Sequence, residues 1–351
     1  MIKNLLLFGG LVVSLQFPAI SLATPNVYSF DTYAIGTLIN SKFKTETPEK
    51  AEFCAQIVND ETRRLEYLLS AYIEDSDVSR LGREPGKWVP VDKDTADILI
   101  SSKKLADETN GTFDPTVGAI VKMWSVDQDN HRIPKEKEIA DSLKFVNYRL
   151  IEVRNEGNTW EARLGENQKI TLGAIGKGFI ADKVMDKLRE NGCDNSLISF
   201  GGNVIANGTN AENKPWRIGL QQPDQERGRF FAVVPVSDTS VVTSGDYEKF
   251  FIQDGVKYHH ILNPTTGKPV PATLSSVTIV NNSSTKADGL CTALFVMGWD
   301  GAIEYLKNHP SLEAVLVSED LKKIAFTENL RGILDVVDPR FHVEVIAEKK
   351  D

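Results

Sequence analysis

Apolar residues recur at helical spacing in several long stretches of this chain and alternate with polar residues in many short ones. Over Ala51–Tyr72, Phe53, Ile57, Leu65, Leu68 and Leu69 form a broad apolar face behind the opening pair Pro48-Glu49, which predicts an amphipathic helix. Asp94–Thr109 predicts a second helix, with Ile98, Leu99 and Leu105 inward and Asn110-Gly111 as its stop. In Lys177–Asn191 the residues Ile180, Val184 and Leu188 share one stripe, and Gly192 follows as a C-terminal cap. Ala287–Lys307 reads as a long helix, and Val117–Trp124 and Lys135–Leu143 as short ones. Tyr33–Phe43 reads as a strand with a turn or close approach at Gly36. Further strands are expected at Ile151–Val153, Trp160–Leu164, Leu197–Phe200, Trp216–Leu220, Phe230–Val236, Ser240–Thr243, Phe250–Ile252, Ser276–Val280 and Ala314–Val317. The polar stretch 125–144 reads as an exposed excursion. No repeat or low-complexity linker divides the chain, so the expectation is one α+β unit of two intimately packed lobes over residues 24–351.

The N-terminus changes the picture. Lys3, the apolar run Leu5–Leu15 and the small-residue site Ser21-Leu22-Ala23 have the layout of a secretory signal peptide over residues 1–23. The run is short for a membrane span. Export to the periplasm or cell envelope is therefore expected, and a peripheral membrane association of the mature chain stays open. No cysteine lies near the cleavage site, which argues against a lipid anchor there. Cys54, Cys193 and Cys291 are odd in number and widely spaced; they read as small buried residues, although export would permit a bridge between one pair. The formal charge of −9, with no basic cluster interleaved with aromatics, excludes a global field that would attract nucleic acid. An anionic nucleotide in a local pocket is compatible with it.

Several segments carry candidate chemistry. Asp288 and Thr292, four apart at the start of the last long helix, put a carboxylate and a hydroxyl on one helical face, both hard oxygen donors suited to Mg²⁺. Thr285-Lys-Ala-Asp288 also fits a helix-capping pattern, so Asp288 has two readings. Leu172-Gly-Ala-Ile-Gly-Lys-Gly178 runs straight into a helix: small residues permit close approach, the helix start offers free N–H groups, and Lys177 can neutralise a phosphate. Its spacing is too short for a P-loop. His259-His260 precedes Asn263-Pro-Thr-Thr-Gly267, and a neutral imidazole there can take a proton from a hydroxyl. In a strand the two histidines face opposite ways. Thr243-Ser-Gly-Asp-Tyr247 reads as a turn in which Asp246 either supports the site or stabilises the turn.

In order and wording these segments resemble the ApbE family, the FAD:protein FMN transferases. Ile35-Gly-Thr37, Ser70-Ala-Tyr72 with Asp75-Ser-Asp-Val-Ser-Arg-Leu81, Gly111-Thr-Phe-Asp-Pro-Thr116, Ser199-Phe-Gly-Gly-Asn203 and Trp216-Arg-Ile-Gly219 continue the match from about Tyr33 to Met297. The resemblance implies the ApbE α+β fold, with FAD between two lobes. It implies that Ile35, Tyr72, Thr112, Phe113, Asp114, Thr171, Lys177, His260, Ile261 and Leu262 line the FAD site and that His260 is the catalytic base. It also implies that the Ala174 carbonyl, Asp288 and Thr292 hold Mg²⁺ (or Mn²⁺). Thr171 stands where the family usually has Asp, and Asn263 replaces a commoner Asp. The implied activity is transfer of FMN from FAD to a Thr or Ser hydroxyl of an acceptor redox protein, with release of AMP. Two alternatives are a metal-dependent FAD pyrophosphatase, with water as acceptor, and a flavin-binding protein without turnover.

Overall fold

A computed structural model describes residues 26–226 and 228–348; the segment expected to be a signal peptide lies outside them. Its centre is a nine-stranded sheet. The strands lie in the spatial order Asn26–Ala34, Thr37–Thr45, Ser196–Phe200, Asn203–Asn207, Ser240–Gly245, Leu274–Asn281, Glu313–Ser318, Lys323–Thr327 and His342–Ile346. Neighbours are antiparallel except the last pair. Alternation along these strands feeds two cores. Ile205, Val242, Ile279 and Leu316 face one core, while Ala206, Val241, Val280 and Val317 face the other.

The first core is covered by the helices Pro48–Leu69, Gly176–Glu190 and Ser284–Lys307. The last of these breaks its helical dihedrals at Gly298. The second core is covered by a three-stranded sheet of Trp216–Gln221, Phe230–Val236 and Asp335–Val336. A separate hairpin, Phe250–Gln253 with Val256–His259, packs through Phe251 on a third cluster containing Ile120, Trp124, Ile139 and Leu262. Among the described residues no helix is long and apolar enough to cross a membrane.

Three expectations need correction. Tyr33–Phe43 is not one strand but the close of a hairpin, whose turn is Ile35-Gly36 with both residues at positive φ (50° and 69°). The helix Pro48–Leu69 stops before Tyr72, and its buried face is rotated: Phe53 is 46% exposed, while Cys54, Val58, Glu61 and Thr62 are buried. Cys54 faces inward because it is bonded to Cys193 in a disulfide, so only Cys291 is a free buried thiol. Glu61 is held at the same face by Arg64 Nη2, 2.7 Å away.

Candidate active site

Two helix starts meet where the candidate chemistry converges. Gly178 lies in the first turn of Gly176–Glu190, and its N–H donates to Asp288 Oδ2 at 2.9 Å. A Cβ at position 178 would come within 2.6 Å of the Ser284 carbonyl carbon and 2.8 Å of Asp288 Cβ, so only glycine lets the helices cross this closely. Ser283 is the N-cap of the Asp288 helix, accepting from Lys286 N–H at 3.2 Å. Asp182, on the Lys177 helix, takes the N–H groups of Ser284 and Thr285 at 2.8 and 2.9 Å and the hydroxyls of Ser283 and Thr285. Burial pushes the Asp182 carboxyl up, against the pull of those donors. The capping reading of Asp288 is thereby excluded, because Ser283 and Asp182 already perform that task.

Asp288 is only 2% exposed, yet its Oδ1 has no closer cation than Lys177 Nζ at 3.8 Å. A carboxylate offers about four lone-pair sites, so this one retains capacity for a cation. Thr292 lies one turn further along the same face, half-buried. Gly178 N–H is spent on Asp288, and the first helical backbone bond runs from Phe179 N–H to Ile175 O, so the Ala174 carbonyl precedes the ladder. These donors fit a hard divalent ion that keeps substrate or water oxygens as its remaining ligands. Among the described residues no cluster of three or more His, Cys, Asp and Glu could hold a metal. A metal here would therefore rest on one carboxylate and neutral oxygens.

The two histidines divide cleanly. His259 is 3% exposed; its Nε2 bonds to Val270 O at 2.9 Å and its Nδ1 accepts Ile261 N–H at 3.2 Å. Both ring nitrogens are committed, and the ring packs edge-on against Phe295. His260 faces the other way. Its Nδ1 is 3.2 Å from Lys249 O, a carbonyl that can only accept, so the proton sits on Nδ1 and Nε2 carries the basic lone pair. Burial first, then the nearby positive charges of Lys177 and Lys249, push this imidazole down to about 4. Lys249 Nζ is held by Asp127 at 2.9 Å. Tyr72, just past the end of the helix Pro48–Leu69, is 76% exposed. Lys249 thus joins Asp127, through its ammonium, to His260, through its carbonyl, while Lys177 stands 3.8 Å from Asp288.

The other residues expected at the site are largely committed within the protein. Thr171 N–H bonds to Pro115 O at 2.8 Å, which lays the segments 112–118 and 169–178 side by side. Asp114 takes Thr116 N–H, Thr116 Oγ1 and Tyr148 N–H, Thr112 Oγ1 donates to Thr109 O, and Phe113 is buried. Burial raises the Asp114 carboxyl. The side chains of Phe113 and Asp114 therefore serve the fold. Ile261 and Leu262 likewise belong to the first and third cores. Ile35 donates its N–H to Glu66 Oε1 at 2.8 Å, beside the Ser70–Tyr72 segment, and its positive φ is costly for a β-branched residue. Asn263 Oδ1 accepts Thr265 and Thr266 N–H, a role for an oxygen alone, so Asn serves where Asp is commoner. Asp246 is tied to Lys257 at 2.8 Å. With His259 it lines a cavity of about 570 Å³ that none of the predicted site residues borders. Sequence reasoning missed Asp182, Asp127 and Lys249, none of which sits in a recognisable motif.

The ApbE family model matches residues 35–316 of the chain. The chain belongs to the ApbE family. It is 33% identical over 332 residues to the FAD:protein FMN transferase of Treponema pallidum, covering 90% of this chain and 91% of that one. It is 31% identical over 262 residues to the FAD:protein FMN transferase of Vibrio cholerae, covering 73% and 78%. The crystal structure of the ApbE protein of Thermotoga maritima superposes with a TM-score of 0.79 at 30% identity, over 88% of this chain and 99% of that one. The flavin transferase ApbE of Vibrio cholerae superposes with a TM-score of 0.76 at 26% identity, over 88% of this chain and 99% of that one. The mixed α+β architecture is thus that of solved ApbE structures.

Proposed function

We propose that this protein is an FAD:protein FMN transferase that moves FMN from FAD to a Thr or Ser hydroxyl of an acceptor redox protein and releases AMP. The observation that carries the reading is the meeting of two helix starts at the buried Asp288, with Lys177 Nζ 3.8 Å from it and His260 held at Nδ1 by Lys249 O. FAD would lie across the helix starts with its pyrophosphate near Lys177, whose ammonium favours negative charge. The Ala174 carbonyl, Asp288 and Thr292 would hold Mg²⁺ or Mn²⁺, which withdraws charge from the bridging phosphates. Tyr72 offers an exposed ring at the mouth for a flavin or purine face.

In the reaction, His260 Nε2 takes the proton of the acceptor hydroxyl as its oxygen bonds to the FMN-side phosphorus. The bond from that phosphorus to the bridging oxygen breaks, and AMP leaves with the bond's electron pair. Lys177 Nζ offsets charge gathering on the phosphate oxygens, so most of the acceleration comes from positioning and electrostatics. The Cys54–Cys193 disulfide supports an exported, envelope location for the mature chain, because such bonds persist in oxidising compartments.

The test combines FAD, Mg²⁺ and an acceptor domain with the mature chain, following AMP and the acceptor's intact mass. One FMN-sized gain per AMP is expected. AMP with free FMN and an unmodified acceptor would replace the transferase by a pyrophosphatase, and FAD binding without AMP would leave a flavin binder.

A further inference from the structure

The hairpin turn Gly201-Gly202 delivers a side chain that the reaction above does not use. Asn203 is 1% exposed, and neither its Oδ1 nor its Nδ2 has a hydrogen-bond partner among the described residues. A carboxamide carries two N–H donors and an accepting oxygen, and a dry, unpaired one is costly.

The strand fixes where this amide lies. Ile205 faces the core beneath the helices and Ala206 the opposite core, so Asn203 and Asn207 share the helix side. Asn207 Oδ1 takes Arg189 Nε at 3.2 Å, which pins that end of the strand to the last turn of the Lys177 helix. Four strand residues span about 13 Å, and at 1.5 Å per residue the helix covers that distance in about nine residues. Asn203 therefore lies toward the N-terminal end of the helix, since Ser196–Phe200 leaves the helix's far end and runs antiparallel to Asn203–Asn207. On its other flank, Val241 pairs with Val204, which makes Val242 the cross-strand neighbour of Asn203. The Val242 carbonyl takes Cys291 Sγ–H at 3.1 Å, and Cys291 is three residues beyond Asp288. Asn203 thus sits on the sheet under the point where both helix starts and Lys177 gather.

We propose that Asn203 binds FAD, its Nδ2 donating to an anionic oxygen of the pyrophosphate from the sheet side. The inference rests on the FAD reading of the cleft. A phosphate oxygen is the group expected there because the Lys177 ammonium stands at the same helix start.

Asn203→Leu removes the amide at similar volume. In the ligand-free protein its melting temperature should equal or exceed that of the wild type, since a buried polar group without a protein partner disappears. Affinity for FAD and for ADP should fall about tenfold to a hundredfold, while riboflavin binding stays unchanged. Asn203→Asp, which loses the donor and gains a like charge, should lose more; if the Leu variant does not fold, the Asp variant carries the test. A lowered melting temperature with wild-type FAD and ADP affinity overturns the proposal, because the amide then serves the fold through water. Loss of riboflavin affinity without loss of ADP affinity overturns the phosphate assignment. Wild-type protein that does not bind FAD defeats the FAD reading itself, whereas equal binding by wild type and variant defeats Asn203 alone.

Discussion

A base with its imidazole pushed down to about 4 leaves a signature in the pH profile of kcat/KM, which reports the free enzyme. With that value the neutral fraction of His260 is about nine-tenths at pH 5; an unperturbed histidine near 6.5 would be neutral in only about one molecule in thirty. Between pH 8 and pH 5 the two cases therefore differ by roughly thirtyfold in rate. The sign follows from the cause: desolvation and the Lys177 and Lys249 charges disfavour the imidazolium, so activity is retained as the solution is acidified and falls only near pH 4. The same depression makes the unfolded chain bind a proton that the folded one refuses. This contribution to stability is complete above about 6.5 and declines as pH falls toward 4. The assay is initial AMP release at subsaturating FAD from pH 4.5 to 8, with saturating Mg²⁺ and acceptor. An inflection near 6.5 that vanishes in His260→Gln would refute a desolvated base flanked by two cations.

Asp288→Asn keeps an oxygen for Gly178 N–H but removes the charge. It should lower the Mg²⁺-dependent rate at least about a hundredfold with no loss of melting temperature; a wild-type rate across a Mg²⁺ titration would contradict the metal assignment. Gly178→Ala should cost about 1–3 kcal/mol, because its methyl group meets the Ser284 carbonyl carbon and Asp288 Cβ, and should slow transfer by displacing Asp288. Unchanged urea denaturation would mean that the helices do not cross as described. Breaking the Cys54–Cys193 bridge, which spans 139 residues, with paired alanines should destabilise by about 2–5 kcal/mol. Identical denaturation midpoints for the oxidised parent and the alanine pair would count against the bridge.

The helices are readable in the sequence because their apolar stripes are long and capped: Ile98, Leu99, Leu105, Ile180, Val184 and Leu188 are all buried where the period places them. The buried face of Pro48–Leu69 departs from its apolar pattern because a disulfide holds Cys54 inward and Glu61 is buried beneath the half-exposed Arg64. The strands Val256–His259 and His342–Ile346 carry mostly exposed residues, so alternation gives little signal there. Within the site, the Asp288–Thr292 spacing is legible, being local to one helix. Gly178, 110 residues away, is visible only as part of a small-residue run; that it receives Asp288 is a property of the crossing. The sequence also indicates that the two histidines oppose each other, but Val270 and Lys249, their carbonyl partners, come from segments that only the fold brings together.

Asp182 has a mechanical consequence. By holding four donors from Ser283, Ser284 and Thr285, it welds the helix that bears Lys177 to the helix that bears Asp288, and Gly178 closes the seam. The phosphate-handling half of the machine is one rigid block. His260 leaves a two-stranded hairpin outside the main sheet, pinned by the Lys249–Asp127 pair and by Tyr258 against Trp124. On the proposed reading, the nucleotide side and the base therefore stand on separate foundations, and a substitution that loosens one need not loosen the other.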